Sequence, residues 1–420
     1  MYDVFNLPEY KFPKGFLWGS STAGHQIEGD NINSDQWKME RDLKFEHLSL
    51  KACNSYELYK ADNKMLLDFG HQVYRLSIEW CRIEPKEGSF NEEAMAHYID
   101  LLSDLKKKKI KAYVTLSHFS LPLWFADLGG FGKRENVKYF ERFIKHAVPK
   151  IKDLVDGWNI LNEFNYNFVD LTKKANFLIA HARGYRLVKK YSKAPISSAH
   201  AFINWVPYRV NDKIDNLMTE YVDYLSNEFF FHAVRTGEIV MPFSEMEYVP
   251  ELKGAIDYWA VNYYTRHFVD ARQKKMNSGK VFDHKMLRLL KSGFSITEMY
   301  PEGLINNLER LKDKPVIITE NGCPCDNDDF RIVSLALHLS ALHEAMQRGV
   351  EVNGYIHWSL MDNYEWGSYT PRFGLFNVDR KSFKRTPKKS AFFFKEIIEN
   401  NGFNQKILRK YLKKLPTSNS

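Results

Sequence analysis

Short apolar runs alternate along this chain with longer segments in which apolar residues recur at helical spacing. The clearest run, residues 315–319, leads directly into Glu320, Asn321 and Gly322. Its β-branched residues predict a buried strand of a parallel sheet, and the asparagine and glycine predict the turn that ends it. A second run, residues 156–162, ends in the same way at Glu163. The pattern therefore predicts two glutamates at the ends of buried strands.

The alternation continues over the whole chain. Strands are predicted near residues 16–24, 73–80, 110–118, 156–163, 195–202, 255–264, 315–320 and 352–360. Helices are predicted near residues 56–69, 92–107, 135–152, 177–191, 229–234, 301–311, 333–348 and 389–399. Such alternation predicts a parallel sheet, and eight units predict a closed barrel. We therefore expect the α/β fold class, as a single (β/α)8 TIM barrel over residues 1–420.

A doubly wound open sheet is the rival fold, and it is disfavoured because no G-x-G-x-x-G motif follows the first strand. Two segments do not follow the alternation. Residues 269–294 are polar and lysine-rich without a clear period, which predicts a long surface excursion. Residues 407–420 form a basic C-terminal tail that we expect to be peripheral.

Composition narrows the functional classes. The net charge of +8 is modest for 420 residues, and no recognition motif accompanies it, so nucleic-acid binding is not expected. The four cysteines, Cys53, Cys81, Cys323 and Cys325, are too few and too scattered for a disulfide framework. Cys323 and Cys325 also lack the second ligand pair of a zinc site.

The sequence also predicts the cellular location of the protein. Residues 1–15 contain no basic segment followed by an apolar segment, so no signal peptide is predicted. No apolar run approaches the roughly 18 residues that a membrane span needs. We therefore expect a cytoplasmic protein without a membrane span.

Polar and aromatic side chains collect at the predicted strand ends: Gln26, Arg75, His118, Asn162, Glu163, Asn262, Tyr264, Glu320 and Trp358. The two glutamates are 157 residues apart (320 − 163), which is about three units if eight units share 420 residues. That spacing predicts positions on the fourth and seventh strands, whose C-terminal ends lie close together across a barrel mouth.

These residue types favour one chemistry. They show neither metal-ligand spacing nor a G-x-S-x-G nucleophile turn, so we expect no metal and no cofactor. Two carboxylates surrounded by amide, imidazole and indole groups suit the cleavage of a glycosidic bond. The alternative interpretation is that each glutamate is an ordinary strand-terminal residue in an ion pair.

Eight motifs then occur in order: Phe16-Leu-Trp-Gly19, Gln26-Ile-Glu-Gly29, Tyr74-Arg-Leu-Ser-Ile-Glu-Trp80, Asn162-Glu163, Asn262-Tyr-Tyr-Thr265, Ile318-Thr-Glu-Asn-Gly322, Asp362-Asn-Tyr-Glu-Trp366 and Arg372-Phe-Gly-Leu375. With them the sequence resembles glycoside hydrolase family 1, the β-glucosidase and β-galactosidase family, over essentially its whole length. The resemblance implies a (β/α)8 barrel and retaining hydrolysis of terminal β-linked sugars from small-molecule or oligosaccharide β-glycosides.

The resemblance also implies residue roles. Glu320 is similar to the family's nucleophile and Glu163 to its acid/base, and retention requires their carboxyl groups to lie about 5–5.5 Å apart. Arg75 and Tyr264 are expected to hold Glu320 ionised, and the charge of Glu320 is expected to keep Glu163 protonated.

Six further residues resemble the family's sugar contacts. Asn162 is expected to bind the 2-hydroxyl, and Trp358 is expected to lie under the sugar ring. Gln26, His118, Glu365 and Trp366 are expected to hold the other hydroxyl groups. By contrast, we interpret residues His25, Glu28 and Glu79 as structural and leave them out of the site.

Three positions depart from the family pattern. Ile160 and Phe164 replace the Thr and Pro of the usual T-x-N-E-P motif, and Phe119 replaces the usual Trp after the histidine. The chain is also short for the family, so we expect an altered entrance. Glu365 and Trp366 predict an unphosphorylated sugar. A transglycosylase using the same site and a catalytically silent sugar-binding protein stay open, as do the glycone preference and the oligomeric state.

Overall fold

Eight parallel strands close into a barrel in the computed structural model, which describes residues 3–166, 170–242, 244–272, 289–291 and 296–416. The barrel strands are β1 (Leu17–Ser21), β2 (Val73–Ser77), β3 (Lys111–Ser117), β4 (Gly157–Asn162), β5 (Ile196–Ala201), β6 (Trp259–Asn262), β7 (Val316–Glu320) and β8 (Val352–Trp358). Each strand pairs with the next along the chain, and β8 pairs with β1 to complete the ring. The predicted (β/α)8 barrel is confirmed.

One main helix follows each strand on the outside of the ring. These helices are α1 (Ser55–Asp68), α2 (Glu92–Lys107), α3 (Val137–Ile151), α4 (Leu171–Tyr191), α5 (Phe229–Thr236), α6 (Pro301–Leu308), α7 (Asp328–Gln347) and α8 (Lys389–Asn400). Additional helices occupy Gly24–Ile27, Asp35–Asp42, Trp80–Ile83, Leu123–Asp127, Lys213–Asp223 and Gln405–Tyr411, and a π-helical turn occupies Tyr224–Glu228.

Short strand pairs lie outside the barrel. They are Tyr10–Lys11 with Gly402–Phe403, Asn204–Pro207 with Arg266–Val269, Glu238–Ile239 with Glu247–Tyr248, Leu289–Lys291 with Ile296–Glu298, and Phe376–Val378 with Arg385–Pro387. The second of these pairs is parallel and joins the chain that follows β5 to the chain that follows β6. It forms part of the surface around the carboxyl ends of these two strands.

Alternate residues of the barrel strands contribute to two separate hydrophobic clusters. One cluster packs between the strands and the helices, and it includes Tyr74, Leu76 and Ile318. A second, smaller cluster is formed by the alternate positions of several strands: Val73, Tyr113, Ala199, Tyr258, Ala260, Ile317 and Ile356. Because side chains alternate across a strand, these residues fill the barrel interior. Arg75 follows Val73 by two positions and therefore belongs to the same inward face, one layer nearer the carboxyl ends.

Strands β1 and β2 approach each other so closely at Gly19 that no side chain fits between them. A Cβ atom on Gly19 of β1 would lie 1.8 Å from the carbonyl oxygen of Val73. Glycine is therefore required at this position, and it belongs to one of the motifs found in the sequence.

Most predicted element bounds are confirmed to within a few residues, and three differ for clear reasons. Helix α4 begins at Leu171 and not near residue 177, because the Asp170 side chain caps it through the backbone N–H of Lys173. The second predicted strand, residues 73–80, ends at Ser77, and Trp80–Ile83 forms a short helix. Helix α7 begins at Asp328 and not near residue 333, because Asn327 caps it through the backbone N–H of Asp329. The apolar period that predicted this helix starts only after that polar first turn.

The C-terminal tail, which the sequence predicts to be peripheral, is docked on the barrel over residues 407–412. Residues Gln405–Tyr411 form a helix capped by Asn404, and Leu408 and Leu412 are fully buried. Tyr411 packs against Phe393 of α8 with ring centroids 5.6 Å apart. Apolar residues on one face of a short basic helix are sufficient to dock it. Residues 417–420 lie outside the described residues, as do 273–288 and 292–295, which make up most of the predicted surface excursion.

The docked tail helix gives a prediction about stability. Leu408→Ala should lower the free energy of unfolding by about 2–5 kcal/mol, because it removes a fully buried leucine and leaves a cavity. Lys406→Ala is the matched control, since Lys406 is exposed on the same helix and should change stability by about 0.5 kcal/mol or less. Urea unfolding measures both. Equal effects of the two substitutions would show that the helix contributes little to the fold.

Candidate functional site

A cavity of about 830 Å³ opens at the carboxyl ends of the barrel strands. It is lined by Gln26, Gln36, His118, Phe119, Asn162, Glu163, Tyr166, Ala201, Phe202, Ile203, Asn262, Tyr264, Thr265, Arg266, His267, Glu298, Glu320, Pro324, Trp358, Glu365, Trp366 and Phe373. Nine of the ten predicted site residues line it, and the tenth, Arg75, contacts two of those nine. The structure therefore brings the predicted site residues together, while their individual roles stay predictions.

Glu320 ends β7 and is held by two charged or polar partners. Its Oε1 atom accepts a hydrogen bond from the Arg75 guanidinium, and its Oε2 atom accepts one from the Tyr264 hydroxyl at 2.6 Å. Arg75 is buried, so this ion pair is shielded from water. Both carboxylate oxygens are therefore stabilised in the charged form, and they are fixed in orientation.

Glu163 follows β4 and has a different environment. Its Oε1 atom accepts a hydrogen bond from the Asn262 amide at 2.8 Å. Burial, and after it the nearby charge of Glu320, raise the pKa of Glu163 to about 8. The two carboxyl groups thus lie in different surroundings, and burial favours the protonated form of Glu163. Such divergence is the usual sign of an acid/base assignment.

A chain of hydrogen bonds fixes the tautomer of His118. Arg75 donates to Asn162 Oδ1 at 2.6 Å, so the Asn162 amide nitrogen faces His118 Nε2, 3.1 Å away. His118 Nε2 must then accept, which places the imidazole proton on Nδ1. Burial holds the pKa of His118 well below its usual range, so the ring is neutral. Nδ1 is buried and has no partner among the described residues, so it can donate to a bound ligand.

A second polar group lies across the cavity. The amide nitrogen of Gln26 donates to Glu365 Oε2 at 3.0 Å and to Asn363 at 2.9 Å, while Trp358 Nε1 donates to Glu365 Oε1 at 3.3 Å. Burial raises the pKa of Glu365 to about 8. The Oε1 atom of Gln26 is buried and accepts no hydrogen bond from the described residues. It is therefore available to a ligand hydroxyl group.

Aromatic rings enclose the polar groups. The ring of His118 lies nearly parallel to those of Trp358 and Trp366, with centroids 5.9 and 6.3 Å away. Phe119 meets Trp366 edge-on at 5.2 Å. Flat apolar faces beside fixed hydrogen-bonding groups are suited to a sugar ring, which has both apolar C–H faces and polar edges.

Three site residues adopt left-handed backbone conformations. The φ angles are +46° at Glu163, +67° at Phe119 and +45° at Trp366. Such conformations are uncommon for residues other than glycine and cost of order 1–3 kcal/mol each. The fold holds these three residues in this conformation, and the side chain of each lines the cavity.

Phe164, the departure from the family pattern beside Glu163, is buried and does not line the cavity. Its ring packs against Phe230 at 5.1 Å, Phe177 at 5.9 Å and Phe229 at 6.0 Å. The chain after Glu163 is thus supported by side-chain packing where a proline would restrict the backbone.

The next residue adds polar support that sequence reasoning missed. The Asn165 amide donates to the carbonyl groups of Ala201 at 2.8 Å and Ser226 at 2.9 Å, and buried Lys174 donates to the Asn165 carbonyl at 3.1 Å. These contacts tie the segment after Glu163 to β5 and to the π-helical turn. The pairs are 9 to 61 positions apart in sequence, and no local pattern signals them.

Sequence reasoning also missed one wall of the cavity. Phe202 and Ile203 lie just after β5, and Arg266 lies in the short strand after β6. Arg266 donates to Glu298 through two hydrogen bonds of 2.7 and 2.9 Å. The position of Phe202 at a predicted strand end was an available signal, whereas the Arg266–Glu298 pair had none.

The residues interpreted as structural do not line the cavity. His25 contacts Glu40 at 2.7 Å and stacks on the outer face of Trp366 with centroids 5.7 Å apart. Glu79 accepts from Asn31 at 2.8 Å, and Glu28 is paired with Arg82 at 2.6 Å. Of the three, His25 contacts a residue that lines the cavity, Trp366.

No group of three or more His, Cys, Asp or Glu residues in the described part of the chain is arranged to hold a metal ion. No helix among these residues is long and apolar enough to cross a membrane.

A parallel barrel with two glutamates at the ends of its fourth and seventh strands, both lining one cavity, has the architecture of a barrel glycoside hydrolase. The family model described as "Glycosyl hydrolase family 1" matches residues 9–172 and 169–403. The chain belongs to this family, a class of retaining, β-glucosidase-like glycoside hydrolases.

Characterised relatives span nearly the whole chain. β-Glucosidase A of Thermotoga maritima is 30% identical over 93% of this chain and 98% of its own. A 6-phospho-β-galactosidase of Leptotrichia buccalis is 28% identical, again over 93% and 98%. The solved structure of a β-glycosidase from Pyrococcus horikoshii superimposes with a TM-score of 0.85 at 32% identity, covering 96% of this chain and 98% of that one.

The raised pKa of Glu365 predicts a pH dependence of stability. An acid that titrates near 4.5 when unfolded and near 8 when folded leaves the folded state holding the extra proton between these values. Stability contributed by that group is therefore full below about pH 4.5 and falls as pH rises towards 8, by at most about 1.4 kcal/mol per pH unit.

Glu365→Gln should remove this loss, because a neutral amide does not titrate. Urea unfolding between pH 5 and pH 8 should therefore give a flatter stability profile for the variant than for the parent protein. Glu93→Gln, on the exposed first turn of α2, is the control that should leave the slope unchanged. A parent-like slope in Glu365→Gln would mean that Glu365 is already ionised in the folded protein.

Proposed function

We propose that the protein is a retaining exo-β-glycosidase that removes terminal, non-reducing, unphosphorylated β-D-glycosyl residues of the glucosyl or galactosyl type. Glu320 acts as the nucleophile and Glu163 as the acid/base. The observation that carries the proposal is the contrast between the two glutamates. Glu320 is bonded by Arg75 and Tyr264, whereas burial and the charge of Glu320 raise the pKa of Glu163 to about 8.

In the first step, a carboxylate oxygen of Glu320 attacks the anomeric carbon on the face opposite the leaving oxygen. Glu163 gives its proton to that oxygen as the bond to the aglycone breaks. The products are a glycosyl ester of Glu320, a free alcohol and the Glu163 carboxylate.

In the second step, the Glu163 carboxylate takes a proton from a water molecule, and the water oxygen attacks the anomeric carbon. Glu320 leaves as a carboxylate. Esterification of Glu320 removes the negative charge that helps to raise the pKa of Glu163, so Glu163 is a better base in this step than in the free enzyme. Two inversions give net retention.

The sugar is held by the groups with free bonding capacity. His118 Nδ1 donates to one hydroxyl group and Gln26 Oε1 accepts from another, since both atoms are buried without partners among the described residues. Asn162, Glu365 and Trp366 contribute further contacts. Trp358 supports the ring face.

The proposal of an unphosphorylated sugar rests on the charges that line the cavity. Arg266 is the one arginine or lysine among the lining residues of the described chain. Its Nε and Nη2 groups both donate hydrogen bonds to Glu298. Burial lowers the pKa of His267 to about 4, so its imidazole is neutral and adds no positive charge to the cavity. A phosphate group needs cationic donors. Because the pKa of Glu365 is about 8, the lack of uncommitted cations among the described lining residues opposes a phosphate more than repulsion by Glu365 does.

The other expectations from the sequence stay predictions. They are one catalytic domain over residues 1–420, no cofactor or metal requirement, no nucleic-acid partner and a cytoplasmic location.

The two glutamate roles can be distinguished by stereochemistry. Glu163→Ala should retain much of its kcat/KM on dinitrophenyl glycosides, whose leaving groups need no proton, but lose about 10²–10⁴-fold on poor leaving groups. Its glycosyl ester should react with azide to give a β-glycosyl azide. Glu320→Ala cannot form the ester, so azide should give the α-glycosyl azide by a single inversion. NMR spectroscopy of the products identifies the anomeric configuration of the azide.

An α product from Glu163→Ala together with a β product from Glu320→Ala would show that the roles are reversed. Glu163→Gln serves as the matched control for side-chain size, because it keeps the hydrogen bond to Asn262 but cannot donate a carboxylic proton.

The sugar class can be tested with paired substrates. The kcat/KM for an aryl β-glycoside should exceed that for its 6-phosphate by about 10² or more, since an uncompensated phosphate costs several kcal/mol. Glu365→Ser should reduce the ratio by opening space beside Trp366. A higher kcat/KM for the 6-phosphate in the parent protein would place it with the 6-phospho-glycosidases of the family.

A further inference from the structure

Two buried thiols face each other directly after the strand that carries Glu320. Cys323 and Cys325 flank Pro324, and their Sγ atoms are 3.8 Å apart. Both are unpaired as disulfides and about 3–5% exposed. Pro324 itself lines the cavity, so these thiols lie immediately behind its wall.

We propose that Cys323 and Cys325 are an oxidative modification site, at which a hydroperoxide closes an intramolecular disulfide and thereby moves the cavity wall at Pro324. The formation of the bond does not depend on the proposed function. Its effect on catalysis rests on that function.

The reaction is a two-electron oxidation. The Cys325 thiolate attacks the terminal oxygen of the hydroperoxide, which forms a sulfenic acid and releases water or an alcohol. The Cys323 sulfur then attacks the Cys325 sulfur, and the sulfenic oxygen leaves as water with the thiol proton. Two thiols and one hydroperoxide thus give one disulfide, one water and one alcohol or second water. A dithiol reductant reverses the change.

The surroundings favour Cys325 as the attacking thiol and Cys323 as the resolving thiol. A hydrogen bond from the Cys323 thiol lowers the pKa of Cys325, and the nearby Arg331 guanidinium lowers the pKa of both thiols. The same hydrogen bond raises the pKa of Cys323. Arg331 is buried and donates to the Cys325 carbonyl at 3.3 Å, so its charge is held close. A cation beside a thiolate is the environment of reactive cysteines.

The other two cysteines have different surroundings. Cys53 donates to the Asp362 carbonyl at 3.3 Å and Cys81 to Asn31 at 3.0 Å. Burial raises the pKa of Cys53 to about 11 and that of Cys81 above its usual range. Each lacks a thiol partner in the described contacts, and the two serve as internal controls.

The chain on the Glu320 side cannot follow the closing bond. Asn321 donates to the Tyr263 carbonyl at 2.7 Å and accepts from the Tyr355 hydroxyl at 2.8 Å. A Cβ atom on Gly322 would lie 1.8 Å from the Trp358 carbonyl oxygen, so that backbone is tightly enclosed.

Cys325 is held by longer hydrogen bonds, from its N–H to the Arg372 carbonyl at 3.2 Å and from Arg331 to its own carbonyl at 3.3 Å. Closing the gap from 3.8 Å to the roughly 2.05 Å of a disulfide is therefore expected to displace Cys325 and Pro324 more than Glu320. Oxidation should change how the cavity wall meets the aglycone, while the chemistry at Glu320 continues.

The bond is tested first by mass. Full-length protein treated with excess hydrogen peroxide, then alkylated and digested, should yield a 323–325 peptide lighter by two hydrogen atoms and resistant to alkylation. Dithiothreitol should restore two alkylation sites. Cys323→Ser and Cys325→Ser should not form it, whereas Cys53→Ser and Cys81→Ser should. Failure to form this linkage in folded parent protein would overturn the proposal.

The effect on the wall is tested by kinetics of the same samples. Oxidation should raise KM for an aryl β-glycoside with a large aglycone by roughly threefold to tenfold and change kcat by less than about twofold, with recovery in dithiothreitol. Cys323→Ser treated with peroxide should keep its untreated KM.

Three results are distinguishable. Linkage with unchanged KM would overturn the coupling to the wall. Linkage with abolished kcat would show that the nucleophile is displaced, contrary to the proposal. Absence of glycosidase activity in reduced protein would refute the proposed function, while the mass result would still decide whether the disulfide forms.

Discussion

The ion pair between Arg75 and Glu320 is the constraint on which the site depends. Arg75 projects from β2 into the barrel interior, where an unpaired charge would cost several kcal/mol, so its position requires the carboxylate at the end of β7. The same guanidinium donates to Asn162 on β4 and so orients the amide that fixes the His118 tautomer. One buried cation thus connects three strands, fixes the orientation of one glutamate and determines the direction of a donor proton. Removing either partner would leave a buried uncompensated charge, which typically destabilises by about 3–5 kcal/mol.

Most of the barrel and most of the site could be predicted because both follow from local pattern. Apolar runs that end in polar residues mark strand ends, and the ends of parallel strands converge at one mouth. What could not be predicted depends on contacts between distant parts of the chain. Arg266 meets Glu298, 32 positions away, and Asn165 meets Ser226, 61 positions away, only because separate segments fold against each other over the barrel. The docking of the tail helix was missed for a related reason, since its charged residues dominate the composition while Leu408 and Leu412 determine the docking.

The site also carries stability costs that a substrate would offset. Gln26 Oε1 and His118 Nδ1 are buried without partners among the described residues, and each such group costs about 1–3 kcal/mol until it is bonded. Glu163 and Glu365 are held in surroundings that disfavour their charged forms. A ligand that supplies the missing hydrogen bonds would recover part of this energy as binding affinity. Preorganised polar groups of this kind bind without rearrangement, which favours the transition state.

The left-handed backbone at Glu163, Phe119 and Trp366 has a consequence for protein engineering. Sequence-optimisation methods that reward relaxed backbone geometry would favour glycine or asparagine at all three positions, because those residues tolerate positive φ best. Each replacement would relieve conformational strain while deleting a side chain from the cavity. Thermostabilisation campaigns on this scaffold should therefore exclude these positions from the design alphabet and look for gains on the outer helices, where strain and function do not coincide.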